Sequence, residues 1–295
     1  EVTHSIEARH KVAGIIRDYA RDRAGGSLYD CLELLYSASN GKIDIFNTPL
    51  VQAIGKFIYR AYIADPYFIN FADASAKMRV EAPLVYRYGV AIDDEVMQGF
   101  AAFTAQLGNL GSEATSRRFG GLNRQLPELF SLSDLLHTPA REPILRDVWL
   151  PDIQVMAARS ESDSHDSFYL AAKGGHNDES HNHNDVGNFI VYAYGKPVLI
   201  DAGAQTYTAK TFSSRRYELW NNQSAFHNVP TINGVQQQAG REFEAQNVEH
   251  TATSNKANLT LDLAKAYPEE GHVKSWKRSI TLVRGKRVDI RDEFE

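Results

Sequence analysis

GGHNDESHNHNDVGNFIVYAYGKPVLID, residues 174–201, is the stretch from which the rest of this chain is read. It sets His176, His181 and His183 among Asn, Asp and Glu, then turns into an apolar run, Phe189 to Tyr194. Gly195-Lys196-Pro197 reads as a turn, and Val198 to Ile200 as a second run that closes on Asp201. In an extended segment, side chains two residues apart point the same way, so His181 and His183 face one space. Two imidazoles beside a carboxylate are natural ligands for zinc or a similar divalent ion, with Asp201 as third ligand and His227, in SAFHNVP, as fourth. A straight hairpin about Lys196 would set Asp201 opposite Ile190 and leave His183 roughly 23 Å away if the chain stayed extended. The metal reading therefore requires Asn184-Asp185-Val186-Gly187 to fold back, and Asn, Asp and Gly tolerate tight turns.

Each residue also has a plainer reading. His176 is expected at the surface. His227, next to Phe226, fits a satisfied core histidine as well as a ligand, and Asp185 and Asn188 read as turn formers. Lys210, Arg215 and Arg216 form a basic patch suited to carboxylates or sulfates, or simply a solvated loop. Gly174-Gly175 and Gly25-Gly26 lack the context of a phosphate loop. Ser213 and Ser224 sit in no nucleophile elbow, and no carboxylate pair marks glycoside hydrolysis.

The 295 residues suffice for one large domain or two ordinary ones, and a 43% hydrophobic share supports a full core. A net charge of −5 gives no global attraction to nucleic acid or anionic membrane. The single cysteine, Cys31, excludes an internal disulfide. No apolar run is long enough to span a membrane, and residues 1–19 carry charges throughout, unlike a signal peptide. The opening EVTHSIEARH and the ending RDEFE read as cut edges, as expected of a piece of a longer chain.

Before the histidine stretch the pattern is helical. Ser27 and Asp30 make a capping-box pattern ahead of Leu28, Cys31, Leu32 and Leu35, with a stop at Asn40-Gly41. Asn47-Thr48-Pro49 starts a second helix through Ile54 and Ile58, and Asp93-Asp94 a third that runs to Gly108. Residues 109–143 read as a linker region with one short helical pattern around Phe130 to Leu136. Beyond Pro143 the period changes. Ile153-Gln-Val155, Phe168 to Ala172, Leu259 to Leu263, Ile280 to Val283 and Val288-Asp-Ile290 read as short strands, predicting antiparallel sheets packed as a sandwich.

HNHNDVGNFIVYAYGKPVLIDAG followed by SAFHNVPTINGVQQ resembles the core signature of heparinase II/III-like polysaccharide lyases, and RAGGSLYDCLELLYSASNGKIDIFN resembles later helices of the family's toroid. The resemblance implies an α+β chain of two domains: residues 1–142 as the C-terminal part of an incomplete (α/α) toroid and 143–295 as an antiparallel β-sandwich. It implies cleavage of acidic, uronate-containing polysaccharides by β-elimination, in a periplasmic or secreted setting. His183, Asp201 and His227 match the metal ligands, usually for zinc, and His181 the catalytic histidine. Tyr19 is the nearest match to the family's tyrosine, and Asn182, Arg215 and Arg216 are the expected substrate-binding residues. The rival expectations are a carbohydrate-binding protein on the same fold and a metal-dependent hydrolase.

Overall fold

The apolar stripes of the first half pair as helices in the computed structural model, which describes residues 24–108 and 122–295. Helix α1 (Ala24–Ala38) begins before Ser27, so the expected capping box lies inside the helix rather than at its start. Packing explains the glycine there. A Cβ on Gly26 would lie 2.9 Å from both Leu84 and the Arg124 guanidinium. The helix stops where expected, with Asn40 and Gly41 in the left-handed region.

Helix α2 (Pro49–Arg60) has Thr48 at its N-cap and Pro49 in its first turn, and buries Val51, Ile54 and Ile58. Helix α3 (Ala82–Ala91) was not foreseen, because Ala82 through Gly89 are all buried and no polar face marks its period. Helix α4 (Glu95–Leu107) is capped as expected, the Asp94 carboxylate accepting from Met97 N–H at 2.8 Å. Much of the expected linker is helix α5 (Leu122–His137), which continues through Pro127. Leu135 is its buried anchor, and Arg124 donates to Asp30 (2.7 Å) and Glu81 (3.0 Å), which ties it to α1 and to the start of α3.

The chain divides into two compact units. Among the described residues one unit holds 24–62, 78–108 and 122–143, and the other holds 63–77 and 144–295. Residues 63–77, expected in the helical part, cluster instead with the sheets. They begin within the hairpin of β1 (Tyr62–Ala64) and β2 (Tyr67–Phe68).

Strands β3 (Asp147–Leu150), β4 (Val155–Arg159), β5 (Phe168–Lys173), β7 (Phe189–Ala193) and β8 (Lys196–Leu199) form an antiparallel sheet in the order β3-β4-β5-β7-β8. The short strand β6 (His176–Asn177) pairs outside it with β9 (Gly240–Glu244). The run Ile153-Gln-Val155 is not one strand: Pro151–Ile153 form a 3-10 turn, Gln154 is left-handed, and β4 starts at Val155.

The second sheet is a meander of β10 (Gln246–Ala252), β11 (Lys256–Asp262), β12 (Trp276–Val283) and β13 (Arg287–Phe294). One core joins the sheets: Met156, Leu170, Ala172 and Val191 pack with Leu259, Leu261, Ile280 and Leu282. Alternate residues of β11 face inward, whereas β4 is buried on both faces. Residues 63–77 lie against the other face of the first sheet. Tyr67 packs on Tyr192 with ring centroids 5.5 Å apart, and Arg159 Nη2 donates to Ile63 O at 2.5 Å.

Candidate functional site

The turn of the β7–β8 hairpin is Tyr194-Gly195, both left-handed, as a two-residue loop requires. Lys196 and Pro197 already belong to β8, an edge strand where a missing N–H is tolerated. The fold-back demanded by the metal reading is present. Asn188 N donates to Asp185 O (3.0 Å), Gly187 N to Lys173 O (3.1 Å) and Lys173 N to Asn188 O (3.0 Å). Gly187 has φ +87, and Leu263 lies 2.6 Å from where its Cβ would be. Inside the bend, the ammonium of Lys173 pairs with Asp185 at 2.5 Å, both fully buried. Asn188 does more than turn the chain: its amide donates to the Asp201 carboxylate, and its oxygen accepts from Phe189 N and Asn228 N.

His183, Asp201 and His227 come together, buried, each bringing one ligand-capable atom to within 4.8 Å of the others. His227 Nδ1 lies 2.7 Å from Asp201, and its Nε2 lies 3.0 Å from Asn221 O. Gly203 N–H donates to the other Asp201 oxygen at 2.7 Å. Asn228, next in sequence, bridges Phe189 O and Ile200 O and so pins His227 to the hairpin. Burial works against the Asp201 carboxylate, but the charge and hydrogen bond of His227, with His183 and Gly203, hold it below the ordinary range. Burial opposes protonation of His227 too, yet Asp201 outweighs it and raises that imidazole. For His183 burial wins, and its pKa falls.

His181, counted among four ligands by spacing, lies outside this trio. Its backbone is left-handed (φ 57), and its side chain, 21% exposed, meets Asp73 Oδ2 at 3.1 Å. His183 Nε2 meets Asp73 Oδ1 at 3.0 Å, so the two histidines do face one space, and Asp73 occupies it. Asp73 Oδ2 also accepts from Arg216 Nη2 at 2.8 Å and from the Tyr207 O–H at 3.3 Å. Burial disfavours the Asp73 carboxylate, but hydrogen bonds from His181, His183 and Arg216 hold it well below the usual carboxylate range. Tyr207 also lies 3.2 Å from His181 Nδ1, with the two rings nearly parallel. Neither residue was foreseen. Tyr207 had only its place six residues after Asp201 to mark it, and FADASAK around Asp73 carries no motif.

The remaining expected residues fall elsewhere or take other tasks. Tyr19 lies outside the described residues. Arg216 is turned inward onto Asp73, Asn182 O and Thr211 O, while Arg215 is exposed and paired with Glu218 at 2.8 Å. Asn182 is buried and donates to Tyr217 Oη at 3.1 Å; burial raises the Tyr217 phenol. His176 is buried rather than at the surface, its Nδ1 accepting from Asp178 N.

The trio suits a divalent ion. His183 Nδ1 is buried and has no hydrogen-bond partner, while its ring stands 5.3 Å from that of His227. Two imidazoles and a carboxylate are a donor set that zinc accepts.

Heparan sulfate lyase HepC from Pedobacter heparinus superposes with a TM-score of 0.51 at 16% identity, over 83% of this chain and 32% of that one. A structure of heparinase III superposes with a TM-score of 0.59 at 15% identity, over 92% of this chain and 38% of that one. At such identities the likeness shows the fold, and the chain spans about a third of the length of these structures. No curated protein matches by sequence. The pattern described as "Heparinase II/III-like, C-terminal" matches residues 146–295, half of the chain, and the chain belongs to that family.

Proposed function

We propose that this chain is part of a polysaccharide lyase that cleaves uronate-containing glycans by β-elimination. One observation carries the reading. His181, with 21% of its side chain exposed, meets Asp73 Oδ2 through Nδ1 at 3.1 Å, and the Tyr207 phenol is 3.2 Å from the same nitrogen, so an imidazole and a phenol stand side by side. Elimination needs a base to remove the C5 proton beside the carboxylate and an acid to protonate O4 as the C4–O4 bond breaks. The products are a C4–C5 double bond and a free hydroxyl, with no water consumed. His181 and Tyr207 supply the two proton-transfer groups, one taking the C5 proton and the other returning a proton to O4. The buried trio His183, Asp201 and His227 would hold zinc or another divalent ion, which supplies positive charge and rigidity beside the reacting sugar. The helices α1 to α5 are read as the later part of an (α/α) toroid.

The names of the neighbouring structures favour heparan-type glycans among the uronate polymers to be tried. The test is ultraviolet absorbance during incubation of the zinc-loaded protein with a panel of such polymers, since only elimination leaves the absorbing double bond. A rise with one polymer, abolished by His181→Ala, is the expected result. Glycan binding with a flat trace on every polymer would replace the lyase by a carbohydrate-binding protein. Saturated products would replace it by a hydrolase.

A further inference from the structure

Segment 63–77 leaves the helical part of the chain to deliver one carboxylate to the site. We propose that Asp73 is the positioning residue of this site, one group that fixes the His181 and His183 rings at the same time. The assignment rests on the lyase reading for the role of His181; the ring orientations do not.

The two carboxylate oxygens divide the work. Oδ1 takes His183 Nε2, and the ring's other nitrogen, Nδ1, is buried with no hydrogen bond to compete for it. Oδ2 takes His181 Nδ1 at 3.1 Å and so fixes the angle of that half-buried imidazole. Metal-bound histidines characteristically give their second nitrogen to a carboxylate, which sets both tautomer and angle. Here the same carboxylate also sets the neighbouring histidine that carries no metal.

Arg216 completes the clamp. It donates to Asp73 Oδ2 and twice to Asn182 O, at 3.1 and 3.0 Å, and so braces the backbone next to the left-handed His181. The other two carboxylates that act on His183 are engaged elsewhere, Asp185 by Lys173 and Asp201 by His227, Asn188 and Gly203.

The Asp73 segment is itself seated on the ligand loop. Asn70 Nδ2 donates to Asp201 O at 3.2 Å and Ala204 N to Ala74 O at 2.9 Å. At Gly203 (φ +58) a Cβ would sit 2.6 Å from Asn70 Nδ2 and 2.9 Å from Ala74 O, so the two stretches lie flush.

Asp73→Asn tests this, because an amide keeps the shape but offers an acceptor to only one of the two imidazoles. In the folded variant, kcat is expected to fall about 10- to 100-fold with KM little changed, and zinc affinity to fall by a similar factor. Long-range proton–nitrogen NMR of the imidazoles gives a reading that mere loss of packing would not. The zinc-loaded wild-type protein should show His181 with its proton on Nδ1, and Asp73→Asn a mixture of tautomers. Wild-type protein with the His181 proton on Nε2 overturns the proposal, whether or not the variant folds. A folded variant with unchanged kcat, zinc affinity and ring spectrum overturns it equally. If the wild-type protein eliminates no polymer, the lyase reading falls, and the ring spectrum and zinc titration still decide the role of Asp73.

Discussion

Among the described residues, a cluster of carboxylates and arginines in the helical unit and one in the sheet unit are built for different ends. In the helical unit Arg124 joins Asp30 to Glu81, and Arg87 lies against Asp30 and Glu33 at 3.8 and 3.6 Å while stacking over Tyr29. Its ionic partners are all guanidinium and carboxyl groups, and the cluster holds three helices together. In the sheet unit Asp73 faces Arg216 as well, but its other partners are two imidazoles and a phenol, groups that can carry or release a proton. A buried arginine–carboxylate pair is thus weak evidence of function. What distinguishes the second cluster is the imidazoles around the carboxylate and the adjoining metal-competent trio.

The largest effect should come from the second cluster. His181→Ala is expected to lower the elimination rate by about 10²–10⁴-fold, read from initial ultraviolet rates, with the thermal midpoint almost unmoved. His227→Ala strips the buried Asp201 of its partner and should cost about 3–5 kcal/mol in denaturant unfolding, along with zinc binding. Arg124→Met attacks the first cluster and leaves Glu81 buried without its guanidinium. The expected loss is about 1–3 kcal/mol of stability, with kcat of the folded fraction unchanged. Equal losses of kcat from Arg124→Met and His181→Ala would erase the contrast between the clusters.

A smaller effect is set by pH. Burial disfavours the Asp292 carboxylate, but the paired hydrogen bonds and charge of Arg278 hold its pKa below the ordinary carboxylate value. A carboxylate depressed in the folded state adds stability above its unfolded pKa and loses it as pH falls through the folded one. Denaturant midpoints should therefore drop as pH goes below about 4, and Asp292→Asn should flatten that part of the profile. Smallest of all is Arg215→Ala, whose exposed pairing with Glu218 should leave the thermal midpoint where it was.

What could be read from the sequence was local. The hairpin ending in Asp201 follows from turn residues and alternation, the bend at Asn184–Gly187 was a requirement that the turn residues permit, and the pairing of His183 with His227 came from donor chemistry and family resemblance. Helices α2 and α4 declared themselves through Thr48-Pro49 and Asp94. Helix α3 did not, because a helix buried all round has no stripe to read. Asp73 did not either: its partners lie 108 and 110 residues downstream, and no short-range pattern encodes such a pairing. Arg216 looked like a surface cation because sequence cannot show that its guanidinium turns inward.

The route of segment 63–77 bears on how this protein can be cut. A fragment trimmed to the family match, residues 146–295, would contain both sheets and all three metal-competent side chains yet leave Asp73 behind. Complementation offers the counterpart: a synthetic peptide covering 63–77, added in trans, should dock on such a fragment and return the missing carboxylate. Excision boundaries drawn from sequence similarity alone would discard the carboxylate that touches both His181 and His183.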